Sequence, residues 1–184
     1  MTRLLVLLVV LPPAVAAADV AVDAARRGEA IVISAHADLR VDVQTAWRVL
    51  TDYDHYASFI PDLTVSRVVA RGPDSAIVEQ RGEAQFLFLR YPLEVRLAVA
   101  ETPYRRVRSR AIAGNFRELH GLYEIEPMPG GLRLLYSGRM VLAEGPPRLV
   151  DVIAVRLNVA RQFEALVREI DRRAAGAAAG TPKG

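Results

Sequence analysis

The chain has 184 residues, 52% of them hydrophobic, no cysteine and a formal net charge of +3. Length and apolar content suit one domain with its own core, and without cysteine there are neither disulfides nor a lipobox, so packing alone must hold the fold. The small charge, made of arginines interspersed with acids, gives no footprint for nucleic acid.

Residues 1–18 read as a signal peptide: a basic start at Arg3, an unbroken apolar run from Leu4 to Leu11, then prolines and small residues ahead of Asp19. The run is far shorter than the roughly 20 residues of a membrane span. A periplasmic or secreted product is expected. Cleavage would remove Arg3, the one ionisable side chain before Asp19, and lower the net charge by one to +2.

A folded domain is expected over residues 29–173, entered through a loose "AARRGEA". "IVISAHADL" alternates as a first strand. Asp42 is placed to cap a short helix, "VQTAWRVLTD", by accepting from the free amides of its first turn. A second short helix around His55 to Phe59 stops before Pro61, since the residue preceding proline avoids helical torsions. Either Asp52 or Asp54 can cap it.

From Leu63 the apolar period becomes two through six segments, "LTVSRVVA", "SAIVEQRGEAQFLFL", "LEVRLAVA", "RRVRSRAI", "FRELHGLYEIE" and "LRLLYSGRMVL". The short gaps between them carry proline, glycine, asparagine or aspartate, which implies antiparallel neighbours. "EGPPRLVDVIAVRLNVARQFEALVREIDRR" then opens on prolines suited to a helix entrance and keeps a helical period. Leu149, Ile153, Ala160, Phe163, Val167 and Ile170 form its expected apolar stripe. Residues 174–184 are expected to be a disordered tail.

This order defines an α+β fold. A curved antiparallel sheet wraps around a long C-terminal helix, with two short helices between the first and second strands, because sheet and helix each have one apolar surface to bury.

Two segments, "AWRVLTDYDHYASFIPDL" and "FRELHGLYEIEP", resemble the START-like superfamily with the helix-grip fold, and within it the polyketide cyclase/dehydrase and coenzyme-Q-binding group. The resemblance spans about residues 29 to 173. It implies a cavity between sheet and final helix. Members carry quinones, sterols or other lipids, bind plant hormones, or cyclise polyketides, so the function has to be argued from the cavity itself.

Alternation assigns the inward faces. One strand directs Gln80, Gly82, Phe86 and Phe88 inward, another Gly121 and Tyr123, and the last Tyr136 and Gly138. The three glycines either relieve strain where the sheet bends or leave room for a ligand. Tyr123 and Tyr136 either pack as core or orient the polar end of a ligand. Tyr53 and Tyr56, three residues apart, turn toward the same interior and can line an entrance. Arg156 falls within the expected apolar stripe and needs a partner: an escape past the core edge to water or an outer acid, or a ligand's carbonyl or acidic group.

No activated nucleophile, zinc motif or phosphate-cradling loop occurs, and His36, His55 and His120 are scattered, so neither catalytic residues nor a metal or other cofactor is expected. The residues leave three readings: a binding protein for a hydrophobic small molecule (lipid, isoprenoid or quinone-like), with transient membrane contact; a polyketide cyclase/dehydratase relying on shape and a few hydrogen-bonding groups; or an interaction module that uses an outer face of the sheet, with a filled core and no ligand.

Overall fold

The computed structural model describes residues 19–86, 89–142 and 152–179; side chains at 84–86, 89, 91 and 142 are outside that description. The expected signal peptide and Leu149 therefore lie outside the described residues.

Eight strands form one antiparallel sheet: β1 (Val20–Arg27), β2 (Ala30–Leu39), β3 (Leu63–Gly72), β4 (Ser75–Phe86), β5 (Leu89–Thr102), β6 (Arg106–Gly114), β7 (Phe116–Met128) and β8 (Gly131–Leu142). Their spatial order is β1-β2-β8-β7-β6-β5-β4-β3. Helices α1 (Val43–Leu50) and α2 (Tyr56–Phe59), joined by a single 3-10 turn at Tyr53–His55, separate β2 from β3, and α3 (Val152–Ala179) ends the described chain. The curved sheet with α3 in its hollow is the helix-grip fold. No described helix is long and apolar enough to cross a membrane.

One strand was not foreseen. The expected loose lead-in is the second half of β1, which pairs with β2 from Val20↔Ala37 to Arg27↔Ala30. Its "VAVDAARR" alternates poorly, so it escapes a period-two search. What makes it a strand is the two-residue turn at Gly28 and Glu29, where Gly28 takes φ 61° as tight hairpins require. The two short helices thus lie between the second and third strands, and the folded region begins before residue 29. At the other end α3 runs through residues 174–179, into the tail expected to be disordered. The "RYP" segment, expected to be a turn, belongs to β5, with Pro92 opposite Glu83.

Facing α3, Ala35, Ala37, Leu39, Ile125, Leu132 and Leu134 of the sheet meet Phe163, Leu166, Val167 and Ile170, with Ala46, Val49 and Leu50 of α1 completing the core. On the solvent side, alternate positions carry ion pairs such as Arg133–Asp38 and Arg139–Glu118. Glu79 is buried beneath Arg67, Arg81 and Arg96.

The predicted stripe on α3 holds at Phe163, Val167 and Ile170 and fails toward the N-terminus. Ile153 is 61% exposed, and the inward residues there are Val155, Asn158, Val159 and Gln162. Steps of three and four from Ile170 back to Ile153 average less than the 3.6 residues of a helical turn, so the predicted stripe drifts around the helix. Arg156 is exposed for the same reason. Its guanidinium donates to the main-chain carbonyl of Val22 on β1, 3.3 Å away, so the unforeseen strand supplies the partner the sequence left missing.

Candidate functional site

Between the N-terminal half of α3 and the sheet lies a cavity of about 270 Å³, near the lower end of the roughly 300–1,000 Å³ usual for small-ligand pockets. Each strand contributes its inward positions near one end of the sheet. Ile31 and Ile33 come from β2, Leu93, Val95, Leu97 and Val99 from β5, and Leu119, Gly121 and Tyr123 from β7. β4 gives Val78 and Gln80, and β8 gives Tyr136 and Met140. α3 covers them with Val155, Asn158, Val159 and Gln162, and Tyr53, Tyr56 and Ile60 close one flank. The remaining wall is mostly aliphatic. Arg26, Glu29 and Arg139 lie at the rim, where Glu29 pairs with Arg117 and Arg139 with Glu118.

Depth is set by the next residues along each element. Ala35 and Ala37 follow Ile33, Leu134 and Leu132 precede Tyr136, Ile125 follows Tyr123, and Phe163 and Leu166 follow Gln162; all of these are buried in packed core. The cavity therefore ends at Tyr123 and Tyr136, whose ring centroids are 4.7 Å apart and which are directly paired across β7 and β8. Tyr123 also lies parallel to Phe163, 6.5 Å between centroids. This pair is the floor.

The four cavity tyrosines divide by hydrogen bonding. Tyr53 donates to Glu101 Oε1 at 3.0 Å, and Tyr56 to the Leu50 carbonyl at 2.8 Å. Burial, and for Tyr53 the neighbouring Glu101 carboxylate, pushes both phenols up, so each remains a neutral donor. Their hydroxyls are committed to the scaffold and their rings alone face the cavity. Tyr123 and Tyr136 have no hydrogen-bond partner among the described residues, yet no described side-chain polar atom is both sealed from solvent-sized space and unbonded. Both hydroxyls are therefore open to the cavity. Burial holds Tyr136 up at about 12 and raises Tyr123 well above the ordinary value, with Tyr136 adding to the effect on Tyr123.

The three inward glycines serve different ends. A Cβ on Gly82 would stand 2.0 Å from the main-chain oxygen of Asp62, so this glycine admits the turn between α2 and β3. Asp62 takes the left-handed φ of 69° there, its carbonyl accepts from the amide of Glu83, and its carboxylate accepts from Asn158 Nδ2 at 2.8 Å and Arg161 at 3.0 Å. That clasp ties α3 to the mouth of the sheet. Sequence reasoning overlooked Asp62; the "PD" pair after a helix is its only trace. Gly138 instead accommodates Tyr136, whose hydroxyl a Cβ at 138 would meet at 2.7 Å, and Gly121 accommodates Ser109, whose Oγ a Cβ at 121 would meet at 2.9 Å.

Of the expected site residues, Tyr53, Tyr56, Gln80, Gly121, Tyr123 and Tyr136 line one cavity. Gly82 and Gly138 shape its walls from behind. Arg156 does not line it. Phe88 lies outside the described residues, and for Phe86 only the backbone, paired with Leu89, is described. Neither aspartate caps α2. Asp52 instead accepts from the His55 ring (2.6 Å) and Arg173 (2.7 Å), and Asp54 accepts from the Val68 amide at 2.7 Å. This cluster seats the helix pair. No grouping of acids and histidines able to hold a metal occurs among the described residues.

The fold and its covered apolar cavity define a START-like protein of the helix-grip type. Residues 39–178 match the family model described as polyketide cyclase/dehydrase and lipid transport, and the chain belongs to that family. No match to a curated protein was found. Among solved structures, the chain is similar to the Zhui aromatase/cyclase from Streptomyces sp. R1128, at 15% identity and a TM-score of 0.67 over 83% of this chain and 99% of that one. It is equally similar to a STAR-related lipid transfer protein from Xanthomonas axonopodis, at 12% identity and 0.67 over 84% and 99%. Human StAR-related lipid transfer protein 5 matches at 11% identity and 0.67 over 88% and 89%.

Proposed function

We propose that this protein binds a hydrophobic small molecule, of lipid, isoprenoid or quinone-like character, between its sheet and α3, and that it does so after export to the periplasm or exterior. The observation that carries the binding reading is the aliphatic cavity under the N-terminal half of α3. Each ligand methylene buried there contributes about 0.8 kcal/mol, so a short chain or a few isoprene carbons suffices for useful affinity. Export rests on Arg3, the run from Leu4 to Leu11 and the small residues before Asp19. Transient membrane contact follows from loading such a ligand.

Cyclisation or dehydration of a polyketide is the second reading, favoured by the likeness to the Zhui aromatase/cyclase. The cavity groups argue for binding over chemistry. Tyr123 and Tyr136 keep their protons far above neutral pH, and an acid or base works best with a pKa near the working pH. Such phenols donate hydrogen bonds well and transfer protons poorly.

Expression of the full chain, cell fractionation, and native mass spectrometry with organic extraction of the protein recovered from each fraction test both parts. A mature chain starting near Asp19 with an extractable apolar adduct is expected. An unprocessed cytoplasmic chain defeats export. An adduct-free protein that converts a polyketide substrate establishes the second reading instead.

A further inference from the structure

The cavity floor specifies more than apolarity. We infer that the molecule held there carries an uncharged oxygen function, a hydroxyl or a carbonyl, that hydrogen-bonds Tyr123 and Tyr136, with its apolar part running from that floor toward the rim. This rests on the binding reading proposed above and adds the chemical class and orientation of the ligand.

Three observations converge. First, the two floor hydroxyls lack partners among the described residues and are open to the cavity, while those of Tyr53 and Tyr56 are satisfied by the scaffold. A phenol hydroxyl both donates and accepts, and covering it with an alkane would forfeit those bonds at about 1–3 kcal/mol each. Second, the position of one hydroxyl is built. Gly138 leaves the space in which the Tyr136 ring lies along the wall, and a methyl at 138 would displace that hydroxyl.

Third, the charged groups lining the cavity, Arg26, Glu29 and Arg139, are at its rim. A carboxylate or ammonium brought to the floor would lose water and meet no counter-charge, which is strongly unfavourable. A hydroxyl or carbonyl meets two neutral donors that stay protonated throughout the physiological range. Above the floor the walls are Ile31, Ile33, Leu93, Val95, Leu119 and Met140, which accept the apolar remainder.

The test uses delipidated full-length mature protein and displacement of a fluorescent apolar dye, N-phenylnaphthylamine, by four probes of matched chain length: dodecanol, methyl decyl ketone, dodecanoate and dodecylamine. The alcohol and ketone are expected to displace the dye at least about tenfold more tightly than the acid and amine, the equivalent of one ordinary hydrogen bond to a neutral group. Tyr123→Phe combined with Tyr136→Phe should weaken the alcohol and ketone by about tenfold while the dye, the acid and the amine stay within about threefold of their wild-type affinities, because aliphatic contact survives while the donors are gone. Gly138→Ala should weaken the alcohol and ketone most, since the new methyl would meet the hydroxyl and ring of Tyr136 at 2.7–3.1 Å and shift the donor.

Dodecanoate binding as tightly as dodecanol overturns the inference while leaving a hydrophobic-ligand protein. Alcohol and ketone affinities that are unchanged in the double phenylalanine variant do the same. Failure of all four probes to displace bound dye removes the cavity reading itself, and the inference with it.

Discussion

Leu134 and Tyr136 stand two residues apart on the same face of β8, yet one is fully buried in packed side chains and the other borders open space. The whole molecule divides at that level. In the closed half, the sheet faces Phe163, Leu166, Val167 and Ile170 of α3, and α1 fills the remaining gap with Ala46, Val49 and Leu50. In the open half, α3 presents only Val155, Asn158, Val159 and Gln162, α1 does not reach, and the gap persists as the cavity. One sheet and one helix thus build a solid and a hollow, and the difference lies in side-chain volume and in where α1 packs.

The sharpest way to break that comparison is to exchange the packing of the two halves. Phe163→Ala in the closed half should destabilise the protein by about 3–5 kcal/mol, through lost burial and the new void, read from the urea midpoint. Val159→Phe in the open half places a ring where space already exists. Its midpoint should shift by less than about 1 kcal/mol, since overpacking is costly only where atoms already touch, and dye binding should be lost. A severe loss of stability in Val159→Phe would mean that the open half is as solid as the closed one.

How much of this division could be read beforehand follows from the periods involved. Strand alternation has a period of two and no drift, so residue order alone puts Gln80, Gly121, Tyr123 and Tyr136 on the inward side, where they line the cavity. The helix stripe accumulates error with distance. It holds at Ile170 and Phe163 and fails by Ile153 and Arg156, in the half that covers the cavity. β1 was missed because its pairing is dictated by a hairpin turn, and with it the carbonyl that satisfies Arg156. Which tyrosine hydroxyls are free was also illegible, because Glu101 and the Leu50 carbonyl approach Tyr53 and Tyr56 only in three dimensions.

A smaller effect separates the halves by pH. At the C-terminal half of α3, Glu169 is buried and bonded by Arg172 and Arg173, and Arg173 also reaches Asp52 beside the helix pair. The hydrogen bonds from Arg172 first, and then Arg173, hold Glu169 down at about 2 against an ordinary 4.5. A carboxyl depressed in the folded state contributes its full stability above its unfolded value and loses it as pH falls through the folded one. Stability should therefore decline from about pH 4.5 toward pH 2 by roughly 1–2 kcal/mol more in the wild type than in Glu169→Gln. Thermal melts across that window check it, and equal slopes would remove Glu169 from the account.

The least change is expected at the helix that makes the closed half solid. Asp42 accepts from the Thr45 amide at 2.7 Å and from its hydroxyl at 2.8 Å, satisfying a free donor in the first turn of α1, and those bonds lower its pKa. Asp42→Ala should cost about 1 kcal/mol. Because α1 packs beneath the closed half, the loss should appear in the urea midpoint while dye affinity stays within about twofold of wild type. If affinity fell in step with stability, α1 would be supporting the cavity as well, and the two halves would have to be treated as one cooperative body.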